Sequence, residues 1–112
     1  MSGGSTRVIH IGLPELSEDE VIALGELAQK VILKRVFDEL ARSEVKDIEV
    51  TARINRGETL DLEIEVYLEV PIFVKVDVDA LVEEAIEKAY EAVERKLREI
   101  SNERKDKTQT PP

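Results

Sequence analysis

The sequence predicts an α+β fold: a three-stranded antiparallel sheet with two helices packed on one face, in the order strand, helix, strand, strand, helix. Apolar residues alternate with polar ones over 7–13, 47–54 and 60–78, as in strands exposed on one face. They recur with a helical period over about 17–42 and 80–100. Two helices cover only one face of such a sheet, so the other face should be wet and strongly acidic.

The first strand, at 7–13, is followed by a clear helix start. Ser17 begins a capping box, in which its hydroxyl accepts from the backbone N–H of Glu20 and the Glu20 carboxylate accepts from the N–H of Ser17. From there to about Arg42, a broad apolar stripe predicts the first helix.

The two middle strands form a predicted hairpin. Even-numbered residues are apolar in both 47–54 and 60–70, and facing residues of an antiparallel pair must point the same way. Even-numbered residues of one strand must therefore lie opposite even-numbered residues of the other, which requires a loop with an odd number of residues. A loop over 55–57, with its glycine in the left-handed conformation, fits this requirement and places Arg53 opposite Thr59.

The alternation continues past Pro71 to Val78, which is too long for one ordinary strand. Proline cannot donate to a strand ladder, so we expect a bend or bulge near Pro71. Asp77 or Asp79 then caps the second helix, predicted at about 80–100.

The 112 residues form one predicted domain over 7–101, with a disordered N-terminus at 1–6 and a disordered basic tail at 102–112. No apolar run approaches the length of a membrane span, and the N-terminus lacks a signal peptide, so we expect no membrane partner and a cytoplasmic location. A charged fraction of 37% is typical of proteins from heat-loving organisms.

The charge distribution disfavours nucleic acid as a direct partner. The net charge is −9, and the first 94 residues hold 22 acidic and 10 basic side chains. A body that acidic repels phosphate, so only the basic tail could contact RNA, and weakly.

No catalytic, cofactor or metal site is predicted. His10 is the single histidine and lacks partners at a metal-binding or catalytic spacing, so an ordinary strand histidine is the better interpretation. Residues 77–79 lack the glycine and spacing of a calcium loop and fit a helix cap better. The acidic sheet face has no visible pocket, which favours a solvated surface over a weak cation site; its carboxylates on the third strand are Asp61, Glu63, Glu65 and Glu69.

An apolar surplus around Pro71 predicts a protein-binding surface. An exposed apolar strand edge invites pairing with another chain. The residues are Tyr67, Ile72, Phe73, Val74 and Val76. The alternative is that this segment packs under the first helix or against the first strand.

The chain resembles a family of small archaeal proteins of unknown function over roughly residues 7–101. The stretches that carry the resemblance are 7–16, 42–50 and 60–71. The chain is also similar to the small dimer-forming subunit of KEOPS, which shares the element order and an Arg-Ser-Glu-(Ile/Val) stretch, matched here by 42–45. KEOPS installs threonylcarbamoyl on the adenosine next to the anticodon of certain tRNAs.

The second resemblance implies a paralogous, non-catalytic accessory subunit that forms a heterodimer with the small dimer-forming subunit. The KEOPS catalytic residues lie in other subunits, so none is carried over. The chain departs from that subunit in its longer first helix, its segment after Pro71 and its acidity. Two alternatives stay open: a homodimer with an unrelated regulatory role, and a small metal-dependent hydrolase that uses the acidic face.

Overall fold

The computed structural model describes residues 2–11, 16–56 and 60–108, and for 2–11, 54, 56, 60 and 104–108 it describes the backbone only. The elements are β1 (Ser2–Ile11), α1 (Glu18–Glu39), a short 3-10 helix (Arg42–Glu44), β2 (Asp47–Arg56), β3 (Leu60–Glu69) and α2 (Val78–Thr108). The predicted order of helices and strands is therefore confirmed. Neither helix, over its described residues, has an apolar run long enough to cross a membrane.

The start of α1 follows from its first residues. The Ser17 hydroxyl accepts from the Glu20 N–H at 3.2 Å, and Glu20 Oε1 accepts from the Ser17 N–H at 2.9 Å. The predicted capping box is thus confirmed. At the other end the backbone becomes extended at Leu40, whose N–H still donates to the Val36 carbonyl at 2.9 Å. The helix ends a little earlier than predicted, and a 3-10 turn follows it.

The β2–β3 hairpin keeps the predicted parity but has a different register. Even-numbered residues face each other and point toward the helices, where Leu62, Ile64 and Val66 are buried. Arg53, however, lies opposite Glu63, not Thr59. The strands join through 57–59, which lies outside the described residues, rather than through 55–57.

Charge favours the observed register. The predicted register would have set two like-charge pairs directly opposite each other, Glu49 with Glu63 and Asp47 with Glu65, and such pairs are destabilising. The observed register keeps one like-charge pair, Asp47 opposite Glu69, and places Glu49 opposite Tyr67 and Arg53 opposite Glu63. Lys46 then bridges Glu69, with Nζ at 3.4 Å from Oε1.

The predicted sheet needs correction, although the α+β class is right. Where side chains are described, the sheet is two-stranded: it is the antiparallel β2–β3 hairpin, not a three-stranded sheet. Of β1 only the backbone is described, and it runs antiparallel along the other edge of β3, giving the strand order β1-β3-β2. The predicted first strand, 7–13, also has the wrong bounds, because β1 begins at Ser2 among small polar residues that carry no apolar alternation.

Both terminal elements extend beyond the apolar pattern. Residues 2–6 belong to β1, and α2 continues to Thr108, while the predicted disorder at 1–6 and 102–112 stays a prediction. Backbone hydrogen bonds within a ladder or a helix do not require apolar side chains, which is why an apolar pattern does not reveal these extensions.

The chain changes direction after β3, as expected near Pro71. The strand ends at Glu69, and the Val74 N–H donates to the Pro71 carbonyl at 3.0 Å, which closes a turn. Asp77 then caps α2: its Oδ1 accepts from the Ala80 N–H at 3.0 Å.

Both helices pack on the even-numbered side of the hairpin. The core contains Leu24, Ile32 and Val36 from α1, and α2 contributes a long buried face. That face consists of Val78, Leu81, Val82, Ala85, Ile86, Ala89, Tyr90, Val93, Leu97 and Ile100. Among the described residues no polar or charged side chain is buried.

Candidate protein-binding surface

The turn after β3 displays two large apolar side chains. Ile72 is 87% exposed and Phe73 is 76% exposed, the largest values among the exposed large hydrophobic side chains of the described chain. On either side, Val70 is 1% exposed and Val74 is 5% exposed. The turn is therefore anchored in the core at both ends, and its tip points away from it.

The five residues predicted to bind a partner do not form one surface. Ile72 and Phe73 lie together at the tip of the turn, but Val74 is buried and Val76 packs against the core. Tyr67 is half-buried on the outer sheet face, where its hydroxyl donates to Glu69 Oε2 at 3.2 Å. The alternative, that the segment packs onto the rest of the domain, thus describes Val74 and Val76.

The outer sheet face is acidic, as predicted. Glu49 and Glu65 are exposed there, and Asp61, Glu63 and Glu69 are half-buried. In the described part of the chain, no three carboxylates or histidines lie close enough together to hold a metal ion. The hydrolase hypothesis stays a prediction; calorimetric titration with magnesium, manganese and calcium is its test.

The sequence interpretation missed an exposed apolar stripe on α1. Ile22 is 57% exposed, Leu33 38% and Phe37 37%. The spacing of these residues places them on one side of the helix. The Phe37 ring also lies under the Arg42 guanidinium, with Cζ at 6.0 Å from the ring centroid, a cation–π contact.

A groove of about 280 Å³ separates this side of α1 from β2. Ile22, Gly25 and Ala52 are among the residues that line it. Gln29 also lines the groove, and its Nε2 donates to the Val50 carbonyl oxygen at 3.4 Å. A second groove, of about 240 Å³, lies between the helices beside Leu27 and Ala92 and is bordered by charged residues of α2.

An ion pair joins the two helices on their outer surface. Arg35 donates from Nε to Glu84 Oε1 at 3.0 Å and from Nη2 to Glu84 Oε2 at 3.1 Å. The hydrogen bond from Arg35 lowers the pKa of the Glu84 carboxyl below its ordinary value, and the same bond raises the pKa of Arg35. The pair is therefore a surface ion pair that connects α1 to α2.

Residues 13–96 match the family described as "Protein of unknown function (DUF3194)". The chain belongs to this family. An uncharacterized protein of Thermococcus kodakarensis is 70% identical over 107 residues, which is 96% of this chain and 99% of that protein. An uncharacterized protein of Pyrococcus furiosus is 71% identical over 103 residues, 92% of this chain and 93% of that one. Both of these relatives come from heat-loving archaea.

Two solved structures are similar to the DUF3194 chain. A crystal structure from Thermococcus onnurineus NA1 has 75% sequence identity and a TM-score of 0.78, covering 90% of this chain and 98% of that one. The solution structure of a hypothetical protein from Methanothermobacter thermautotrophicus has 22% identity and a TM-score of 0.68, covering 79% and 96%. At that identity the second likeness shows the fold alone. None of these relatives is described by an activity, and none is described as a KEOPS subunit.

Proposed function

We propose that this DUF3194 protein is a non-catalytic subunit that binds another protein through the turn bearing Ile72 and Phe73. The observation that carries the proposal is the contrast within one short segment: these two side chains are exposed while Val70 and Val74 beside them are buried. The partner that the sequence resemblance suggests is the small dimer-forming subunit of the archaeal KEOPS complex.

The energetics of the turn favour docking. Removing a large apolar side chain from water contributes about 1.5–3 kcal/mol, and both side chains at the tip are free to contribute it. The turn is already closed by the bond from the Val74 N–H to the Pro71 carbonyl, at 3.0 Å. A partner would therefore meet a preorganised apolar projection, whose ordering costs little on binding.

The KEOPS partner is supported by the sequence stretch at 42–45. In the structure, Arg42–Glu44 form the 3-10 helix that joins α1 to β2, and Glu44 Oε1 accepts from the Ala41 N–H at 2.9 Å. This stretch helps to position the hairpin relative to α1. Two proteins that descend from a common ancestor with this fold would be expected to share it.

The test mixes the purified full chain with the small dimer-forming KEOPS subunit and measures mass by light scattering. We expect a heterodimer at micromolar concentration. Phe73→Glu should prevent it, because the charge would have to be desolvated in the interface. The matched control is Asn102→Glu, which adds the same charge at an exposed position of α2.

Two results would contradict the proposal. Absence of any heterodimer with the wild-type chain would remove the KEOPS partner. A heterodimer that forms equally well with Phe73→Glu would remove the turn as the docking site.

A further inference from the structure

We infer that β2 and the exposed stripe of α1 form a self-complementary surface through which two copies of this chain pair side by side. The inference is separate from the proposed function, since it concerns neither the turn nor another protein. In the strand order β1-β3-β2, the described residues supply β2 with a partner on one side only. A free strand edge is a template for a further strand.

The side chains of β2 fit a second copy of β2 in particular. In a two-fold antiparallel pairing centred on Thr51, Glu49 lies opposite the partner's Arg53, and Arg53 opposite the partner's Glu49. Thr51 meets its own counterpart. Opposite charges and threonine pairs are favourable across strands, and Arg53 and Glu49 are both exposed in the single chain. A symmetric interface uses the same patch on both copies, as this pairing does.

The helix layer above β2 continues the same surface. Helix α1 contacts α2 through the side that bears Leu27 and Arg35. The apolar stripe of Ile22, Leu33 and Phe37 lies on a different side of α1, turned away from α2. Gln29 lies on the β2 side, bonded to Val50. Side-by-side β2 strands would therefore bring the two α1 stripes together over the joined sheet.

Gly25 supplies an independent indication. It lies in the interior of α1, where glycine is less favourable than alanine by roughly 0.5–1 kcal/mol. A Cβ built on it meets nothing within 4 Å, so packing within one chain does not require a glycine there. Gly25 and Ala52 line the groove together with Ile22 of the apolar stripe. Close approach of a second helix or strand at this groove would explain the small residue.

The first test uses charge reversal and sedimentation of the full chain alone over a range of concentrations. The wild type should form dimers. Glu49→Arg and Arg53→Glu each replace both Glu–Arg contacts by like-charge contacts and should weaken dimerisation by about tenfold. An equal mixture of the two variants restores opposite charges at both contacts, so it should recover the dimer as a mixed species.

The second test uses size, so that the inference does not depend on charge variants alone. Gly25→Leu should fill the groove and reduce dimerisation while keeping the helical circular dichroism of the wild type. Ala23→Leu is the matched control, because Ala23 is exposed on α1 outside the stripe. It should leave the dimer intact.

Several outcomes would overturn the inference. They are a wild type that stays monomeric at all concentrations, a mixture of charge variants no more dimeric than either alone, and a dimer that tolerates Gly25→Leu. A dimer abolished by Phe73→Glu but not by the β2 variants would also overturn it. None of these results bears on whether the chain binds the KEOPS subunit, which is measured with the two proteins together.

Discussion

Arg35 on α1 holds both carboxylate oxygens of Glu84 on α2, at 3.0 and 3.1 Å, while its Nη1 also donates to Glu39 Oε2 at 3.4 Å. The parallel geometry matches a planar guanidinium to a planar carboxylate, the strongest arrangement for a surface pair. It connects the two helices at a point where their apolar faces give way to solvent.

Arg35→Lys should lower the melting temperature by a few degrees, because an ammonium group cannot make the two parallel hydrogen bonds. Arg98→Lys serves as the control, since Arg98 lies on the exposed side of α2 with Nη2 at 4.0 Å from Glu94 Oε2. Differential scanning calorimetry compares the two. Equal losses for both variants would show that the link between the helices has no special contribution.

The same pair should make stability depend on acid. The hydrogen bond from Arg35 lowers the pKa of Glu84 in the folded chain below its unfolded value. The pair's contribution is therefore fully present above the unfolded pKa and is lost as the pH falls through the folded pKa. The difference in melting temperature between wild type and Glu84→Gln should shrink as the pH falls below about 4.3, the ordinary pKa of a glutamate side chain. A difference that grows toward acid would contradict the assignment.

A charge introduced at two neighbouring residues of the turn should change the free energy of unfolding by very different amounts. Val74→Asp should reduce the free energy of unfolding by more than about 3 kcal/mol, because it places a carboxylate in the core. Phe73→Asp should change it by less than about 0.5 kcal/mol, because Phe73 is 76% exposed. Denaturant unfolding measures both. A large loss from Phe73→Asp would mean that the ring contributes to folding rather than to docking.

Ser17→Ala should cost about 1 kcal/mol, since the N–H of Glu20 loses its acceptor at the start of α1. Ser17→Asp should retain most of the stability, because aspartate also caps helices. Ser43→Ala, at an exposed position in the 3-10 helix, is the neutral control. If Ser17→Ala and Ser43→Ala have the same melting temperature, the cap does not determine where the helix begins.

The parts of the fold that the sequence predicted correctly are those decided by near neighbours. The Ser17 capping box needs residues only three apart, and the inward side of β2 and β3 follows from alternation along each strand. The even-numbered positions of the apolar residues in both strands required a hairpin loop with an odd number of residues. They did not distinguish a loop over 55–57 from one over 57–59. Charge pairs between the strands, such as Arg53 opposite Glu63, distinguish these registers.

The candidate site was harder to predict for a related reason. Alternation beyond Pro71 suggested a strand with one exposed apolar edge, whereas Val74 and Val76 reach the core from a turn and Ile72 and Phe73 do not. Alternation alone cannot distinguish these two geometries. The groove beside Gly25 could not be predicted from the sequence, because it exists only where α1 packs against β2.

The interior of this protein contains no carboxylate, amine, guanidinium or imidazole among its described side chains. Proton uptake in acid therefore takes place on the outside of the described molecule, at groups that water already reaches. Protonation of the described side chains therefore places no ion inside the hydrophobic centre, where it would be most disruptive. At these groups, acid weakens the fold by removing surface attractions and adding repulsion between the remaining positive charges.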